Sequence, residues 1–198
     1  MVSVAVHPKQ FPWFDYSTYS FSLGIDAGEG IYLSGHTASA YDEEAGRITI
    51  KGGMAEQART AYKKIAAILE GAGKSFGDVV RVVEYVKPEG IDRYGEAAAV
   101  REEVFGSHRP AVNTVPVKAL LRPAAFIEIE ITAGPVAAET SFGTSLPVAR
   151  ESSGVVFLPT VQAVNENGEI IGPGDVVAQT AAIFKKAKKM LETLGLGF

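Results

Sequence analysis

From Met54 to Glu70, apolar side chains recur at Ala58, Ala61, Tyr62, Ile65, Ile68 and Leu69. Steps of three and four put them on one helical face, and Gly71 and Gly73 supply a stop, so the spacing predicts a helix with one buried stripe. Ahead of it, Gly30-Ile31-Tyr32-Leu33-Ser34-Gly35 reads as a short strand, and Asp42 to Gly46 is turn chemistry leading into Arg47-Ile48-Thr49-Ile50. That pattern predicts a hairpin. Val79 to Val86 is dense in β-branched residues and stops at Pro88, the signature of a buried strand. A second helix is expected from about Ile91 to Phe105, with Tyr94, Ala97, Val100 and Val104 on one side.

Two further strands are expected at Pro110–Val117 and Phe126–Ala133, separated by Leu120-Leu121-Arg122-Pro123. In the latter, Ile127, Ile129 and Ile131 face one way, and Phe126, Glu128, Glu130 and Thr132 the other, because side chains alternate across a strand. The order β-β-α-β-α-β-β predicts an α+β protein with a mixed sheet and two helices on one face.

After Gly134-Pro135 the order starts again. Val155 to Leu158 reads as a strand, Asn165 to Gly168 as a turn, Glu169-Ile170-Ile171 as a strand, and Val176 to Leu191 as a helix with Ile183, Phe184, Ala187, Met190 and Leu191 on one face. Gln57 meets Gln179 at an offset of 122 (179 − 57), and at that offset Gly46, Ile48, Lys63, Lys64, Leu69, Glu70, Gly73 and Phe76 meet identical residues. Such ungapped self-similarity predicts an internal duplication. The expected organisation is a complete domain over 1–135, a linker over 136–143, and the opening half of a second copy over 144–198. Half a domain cannot bury its own sheet face and helix stripe, so it is expected to dock on something or be completed by further chain.

Composition narrows the chemistry. With 46% apolar and 21% charged residues the chain is of ordinary globular type. It has no cysteine, hence no disulfide or thiolate nucleophile, and its histidines, His7, His36 and His108, are too scattered to predict a metal site. A reducing cytoplasm is the expected compartment. No apolar run is long enough to predict a membrane span. A net charge of −4 leaves no global attraction for phosphate backbones, so no nucleic-acid partner is expected.

Among polar candidates, Glu128 stands out as a mid-strand carboxylate flanked by isoleucines. An unpaired carboxylate there must reach water, a neighbour or a pocket. His36 lies two residues beyond Ser34, which predicts a shared face, and it titrates near neutrality in its ordinary state. Glu130 shares the face of Glu128, but no sugar-stacking aromatic platform accompanies the pair. Gly71-Ala72-Gly73-Lys74-Ser75 ends like a phosphate-binding loop, yet it follows a helix and has Ile68 where the first glycine belongs. Phe11, Trp13, Phe14 and Tyr16 form an aromatic entry segment expected to pack on the sheet or a neighbour.

Three stretches in order, Ile31-Tyr32-Leu33-Ser34-Gly35-His36, Glu56-Gln57-Ala58-Arg59-Thr60-Ala61 and Phe126-Ile127-Glu128-Ile129-Glu130, resemble the RidA (YjgF) family. The resemblance spans roughly residues 14–135, and 144–198 as the partial copy. It implies a chorismate-mutase-like fold forming trimers, or pseudo-trimers in tandem proteins, with pockets between subunits. Members of known activity hydrolyse imines or enamines and need no metal or organic cofactor. Carried over by motif, the pocket serine and glycine are Ser34 and Gly35, the water-positioning glutamate is Glu128 and the N-terminal tyrosine is Tyr19. Where the family places an arginine that clamps the substrate carboxylate, counting back from Glu128 gives Asn113, followed by Thr114. An asparagine amide lacks the charged bidentate fork. Arg109 is the nearest alternative clamp, and His36 stands where the family usually has glutamine.

The expected function is therefore that of a small-molecule hydrolase or deaminase acting on an imine, enamine or related C–N bond at an inter-subunit pocket. Glu128 and His36 would be catalytic, with Tyr19, Ser34, Gly35, Arg109, Asn113 and Thr114 binding substrate. The alternative is a relative that binds a metabolite or a partner protein without turnover. Expected partners are a small-molecule substrate and further copies of the chain, or a second chain completing the C-terminal repeat.

Overall fold

The computed structural model describes residues 2–136, 138–142 and 148–198. Part of the expected linker, and residues 144–147 at the start of the expected second copy, lie outside the described residues.

The main sheet has six strands in the order β1-β2-β3-β8-β6-β7. These are β1 (Val4–Ala5), β2 (Gly24–Asp26), β3 (Ile31–Leu33), β8 (Ile127–Ala133), β6 (Val79–Val86) and β7 (Ala111–Pro116). Neighbours are antiparallel except β6 and β7, which run parallel. The expected mixed sheet is present, but the expected hairpin differs. β3 pairs with β2 and β8, while β4 (Ala40–Asp42) and β5 (Arg47–Thr49) form a separate two-stranded ribbon. β1 and β2 carry too few apolar residues to register in the pattern.

Helix α1 (Met54–Gly71) lies across the inner face of the sheet, where Ala58, Ala61, Tyr62, Ile65, Ile68 and Leu69 pack with Ile127, Ile129 and Ile131 of β8. Each such isoleucine or leucine contributes about 2 kcal/mol on burial. Gln57 pins the helix start: its amide donates to the Gly52 and Ala124 carbonyls and accepts from the Phe126 N–H at 2.8 Å. Pro88, read above as a strand stop, also opens the one-turn helix α2 (Pro88–Ile91), as its fixed φ allows at a first helical position. Helix α3 (Tyr94–Phe105) then packs beside α1 on the same inner face.

One polar knot joins these layers. Glu84 of β6 is fully buried and accepts from Tyr62 at 3.0 Å, Tyr94 at 2.6 Å and Arg101 Nη1 at 2.5 Å, while Tyr94 also meets the Thr114 hydroxyl at 2.7 Å. A buried carboxylate is tolerated because α1 and α3 together supply it with two hydroxyl donors and a guanidinium.

The C-terminal part forms a second, three-stranded antiparallel sheet, β9 (Ala138–Ser141), β10 (Val148–Ser152) and β11 (Val155–Phe157), followed by α4 (Val176–Thr193). Four of the eight residues of the expected linker are thus strand β9. β10 packs over β6 and β7 on the outer face of the main sheet. No helix among the described residues is long and apolar enough to cross a membrane.

Candidate active site on the outer sheet face

Directly opposed residues on neighbouring strands share a face, so the register places Tyr85 beside Glu128, Val83 beside Glu130 and Asn113, and Arg81 beside Thr132 and Ala111. All of them project from the outer face, opposite the helices. Val83 and Ala111 are buried there beneath β10, whereas the region around Glu128 is partly open.

The two outer carboxylates have different surroundings. Glu130 accepts a 3.1 Å hydrogen bond from Tyr85 and lies 3.8 Å from Arg81 Nη1. Glu128 accepts no hydrogen bond from the described residues. Burial, and then repulsion from Glu130, push its carboxyl above the usual glutamate range. Its Oε1 lies over Gly35, where a Cβ would sit 2.2 Å away. Only glycine leaves room for the carboxylate at that point.

The pairing of β3 with β8 explains the placement of Ser34 and His36. Tyr32 opposes Thr132, and the isolated bridge beyond the strand pairs His36 with Ile129, so four steps on one side match three on the other. The extra residue is a bulge, and it changes the alternation. Gly35 faces outward over Glu128, and His36 turns inward with Ile129. The expected shared face of Ser34 and His36 is therefore broken. His36 is buried with its Nε2 unpaired among the described residues, and burial, followed by the charge of Lys64, pulls its pKa down to about 4. It is a neutral residue of the inner layer, 6.4 Å from the Phe11 ring, and does not reach Glu128 as a catalytic partner.

Ser34 donates its hydroxyl to the Ser22 carbonyl at 2.7 Å and its N–H to Leu23. That fixes the strand end beside Gly35. Tyr19 is 41% exposed and stacks edge-on with Phe14 and against Phe21 at the rim of the entry segment. The segment packs around Phe11, which touches Trp13, Phe14 and Tyr16. Thr114 faces inward to Tyr94. Asn113 faces outward, but its amide is engaged: Oδ1 accepts from Arg81 Nε at 3.3 Å and Nδ2 donates to the Leu158 carbonyl at 3.2 Å. Arg109 is exposed and precedes β7, at the end of the ladder remote from the Tyr85–Glu128 pair, so it does not replace the clamp.

A profile described as Endoribonuclease L-PSP matches residues 16–134, more than half of the chain and every strand but β1 of the sheet that carries Glu128. The chain belongs to this family. A RutC family protein of Pyrococcus horikoshii is 34% identical over 113 residues, which are 57% of this chain and 85% of that protein. The human 2-iminobutanoate/2-iminopropanoate deaminase is 31% identical over 113 residues, 57% of this chain and 78% of the enzyme. Among solved L-PSP structures, a putative endoribonuclease of Thermotoga maritima is 28% identical, covers 68% of this chain and 98% of its own, and superposes with a TM-score of 0.56. A Mycobacterium tuberculosis member of the YjgF/YER057c/UK114 family is 29% identical, with coverages of 68% and 100% and a TM-score of 0.52. The expected RidA-type fold is thereby established.

Within this L-PSP domain, the sequence reading missed Arg81 and Tyr85. Both sit on the strand next to Glu128 and Glu130, and alternation along Val79–Val86 would have set Arg81, Val83 and Tyr85 on one face. The apolar density of that strand masked the pattern. Among the described residues no grouping of His, Asp or Glu is arranged to hold a metal ion.

Proposed function

We propose that the outer sheet face around Glu128 is a site for hydrolytic deamination of a small imine or enamine. One observation carries this reading. Of two neighbouring carboxylates, Glu130 is engaged by Arg81 and Tyr85, and Glu128 is left half-buried, without a hydrogen-bond partner among the described residues, and shifted upward. A carboxyl whose pKa is raised by burial is better suited to move protons than an ordinary glutamate. As the carboxylate, Glu128 takes a proton from water while the water oxygen bonds to the C=N carbon. The proton then passes to nitrogen, giving a carbinolamine; its hydroxyl proton is carried through Glu128 to the amine as the C=O bond forms, the C–N bond breaks, and ketone and ammonia leave. Gly35 supplies the space over the carboxylate, and Tyr19 forms part of the rim. The relation to a human 2-iminobutanoate/2-iminopropanoate deaminase supports this chemical class.

A neighbouring domain laid over the open part of this face would exclude water. Within the chain, β10 covers the other end of the same face in that way, which supports trimeric or pseudo-trimeric assembly. The test is ammonia release from freshly generated 2-iminobutanoate and from 2-aminomuconate. Glu128→Gln is expected to lower the rate by about 10²–10⁴-fold. Equal rates for the two proteins would remove Glu128 from the chemistry.

The engaged amide of Asn113 and the engaged hydroxyl of Ser34 favour a second reading, binding without turnover. Stabilisation in a thermal-shift screen by a ligand recovered unchanged, together with no ammonia release, would select it.

A further inference from the structure

Tyr85 lies directly opposite Glu128 on neighbouring strands, where side chains of one face stand about 4.5–5.5 Å apart at Cβ. Beyond Cβ the two diverge. Glu128 leans toward β3, with Oε1 over Gly35, whereas Tyr85 turns along the sheet and donates its hydroxyl proton to Glu130 Oε2 at 3.1 Å. Both side chains are half-buried, so the carboxylate and the phenol oxygen flank the partly open part of the outer face without bonding to each other.

Glu130 decides how that phenol is presented. Its Oε1 faces Arg81 Nη1 at 3.8 Å, and Arg81 is itself tied through Nε to Asn113 Oδ1 at 3.3 Å, so Oε2 is the oxygen left for Tyr85. Tyr85 keeps its proton at neutral pH, because burial, and then the charge of Glu130, push its pKa above the usual tyrosine range. A phenol has one proton to give and lone pairs with which to receive. With the proton committed to Glu130, Tyr85 offers the site a lone pair.

Glu128, as the carboxylate, is likewise an acceptor, with no donor among the described residues. Two acceptors side by side do not suit an anion or a developing oxyanion, which needs donors. They suit groups that donate: the protons of water, and the N–H of a protonated imine, C=NH2+. The charge of Glu130 reaches Glu128, where it adds to the effect of burial, and it favours a cation at the same place. We propose that Tyr85, oriented by Glu130, is a further substrate-contacting residue, whose phenol oxygen accepts a hydrogen bond from the N–H of a planar, cationic C=N group placed beside Glu128. This rests on the deamination reading above and narrows it to protonated imines that carry an N–H.

Acetamidinium and acetate are the probes, since they share a planar shape and differ in presenting N–H donors or acceptors alone. Each is titrated into the 198-residue protein while the Glu128 carboxyl signal is followed by NMR, and ammonia release from freshly generated 2-iminobutanoate is measured alongside. Acetamidinium is expected to bind more tightly than acetate. Tyr85→Phe keeps the ring and removes the oxygen, and should weaken acetamidinium about tenfold and lower kcat/KM by a similar factor, with cooperative melting retained. Glu130→Gln should also weaken it and move the Glu128 titration to lower pH, a displacement that a merely structural role for Glu130 would not produce. Acetamidinium that leaves the Glu128 signal unmoved, binds no better than acetate, or binds the parent and Tyr85→Phe equally would overturn the proposal. If no ammonia is released while Tyr85→Phe still loses acetamidinium, the deamination reading fails and the recognition of N–H by Tyr85 stands.

Discussion

At the scale of single residues, Glu128 is a group whose burial costs stability where it is charged. Its folded-state pKa is raised, so the folded protein holds the proton more tightly than the unfolded chain. The penalty is fully present above the folded pKa and disappears below the unfolded one. Glu128→Gln is therefore expected to melt at an equal or higher temperature than the parent at neutral pH, with the gain vanishing as pH falls through the ordinary carboxylate range. A melting series on both proteins from about pH 4 to 8 checks this. The same shift predicts that deamination falls off on the acid side at a higher pH than an unperturbed glutamate would give. Gly35→Ala should displace the carboxylate and lower kcat while leaving the melting temperature nearly unchanged.

His36 shows the opposite linkage. Its pKa of about 4 lies below that of an unfolded histidine, so the unfolded chain gains a proton first as pH drops. Stability should fall between about pH 6.5 and 4, by roughly 3 kcal/mol from this group alone. In His36→Gln that slope should be absent from denaturant titrations. The sequence made His36 look like a partner of Ser34 because strict alternation was assumed through a segment that contains a bulge. No single-strand pattern reveals a bulge, which exists only relative to the paired strand.

At the scale of elements, the long periodic segments were legible: α1, α3, β6, β7 and β8 fall within a few residues of their expected positions. What escaped was pairing. The insertion of β8 between β3 and β6 rests on contacts far apart in the chain, and β1 and β2 are two and three residues long. The knot on Glu84 was equally invisible, since its donors come from α1 and α3. It also makes a prediction about asymmetry. Arg101→Ala leaves a fully buried carboxylate without its cation and should cost about 3–5 kcal/mol in denaturant unfolding. Glu84→Gln leaves an arginine that can still reach solvent and should cost about 1–2 kcal/mol. Equal losses from the two changes would mean that the tyrosines, rather than the charge pair, hold the layers together.

At the scale of the whole molecule, the attachment of the C-terminal sheet to the L-PSP domain decides what the outer face can do. Arg150 of β10 is 5% exposed, donates from Nε to the Arg109 carbonyl at 2.5 Å and pairs with Glu139 at 2.6 Å. Beyond β11, the Thr160 N–H reaches the Val112 carbonyl, and the Thr160 hydroxyl accepts from the Thr114 N–H at 3.0 Å, so the chain runs along the free edge of β7. Asn113 joins the same seam through Leu158. The residue that the family resemblance marked as a missing clamp is thus part of an internal junction, a role that no motif could disclose because its partner lies 45 residues away. Arg150→Ala, by removing a buried cation with its contacts to Arg109, His108 and Glu139, should loosen that junction. Limited proteolysis should then cut between the L-PSP domain and β10 faster, and amides of β10 and Thr160 should exchange faster, while α1 and β8 keep their protection. Uniform loss of protection across both parts would instead mean that the C-terminal sheet is integral to the core, so that the outer face around Glu128 cannot be uncovered without unfolding the domain that carries it.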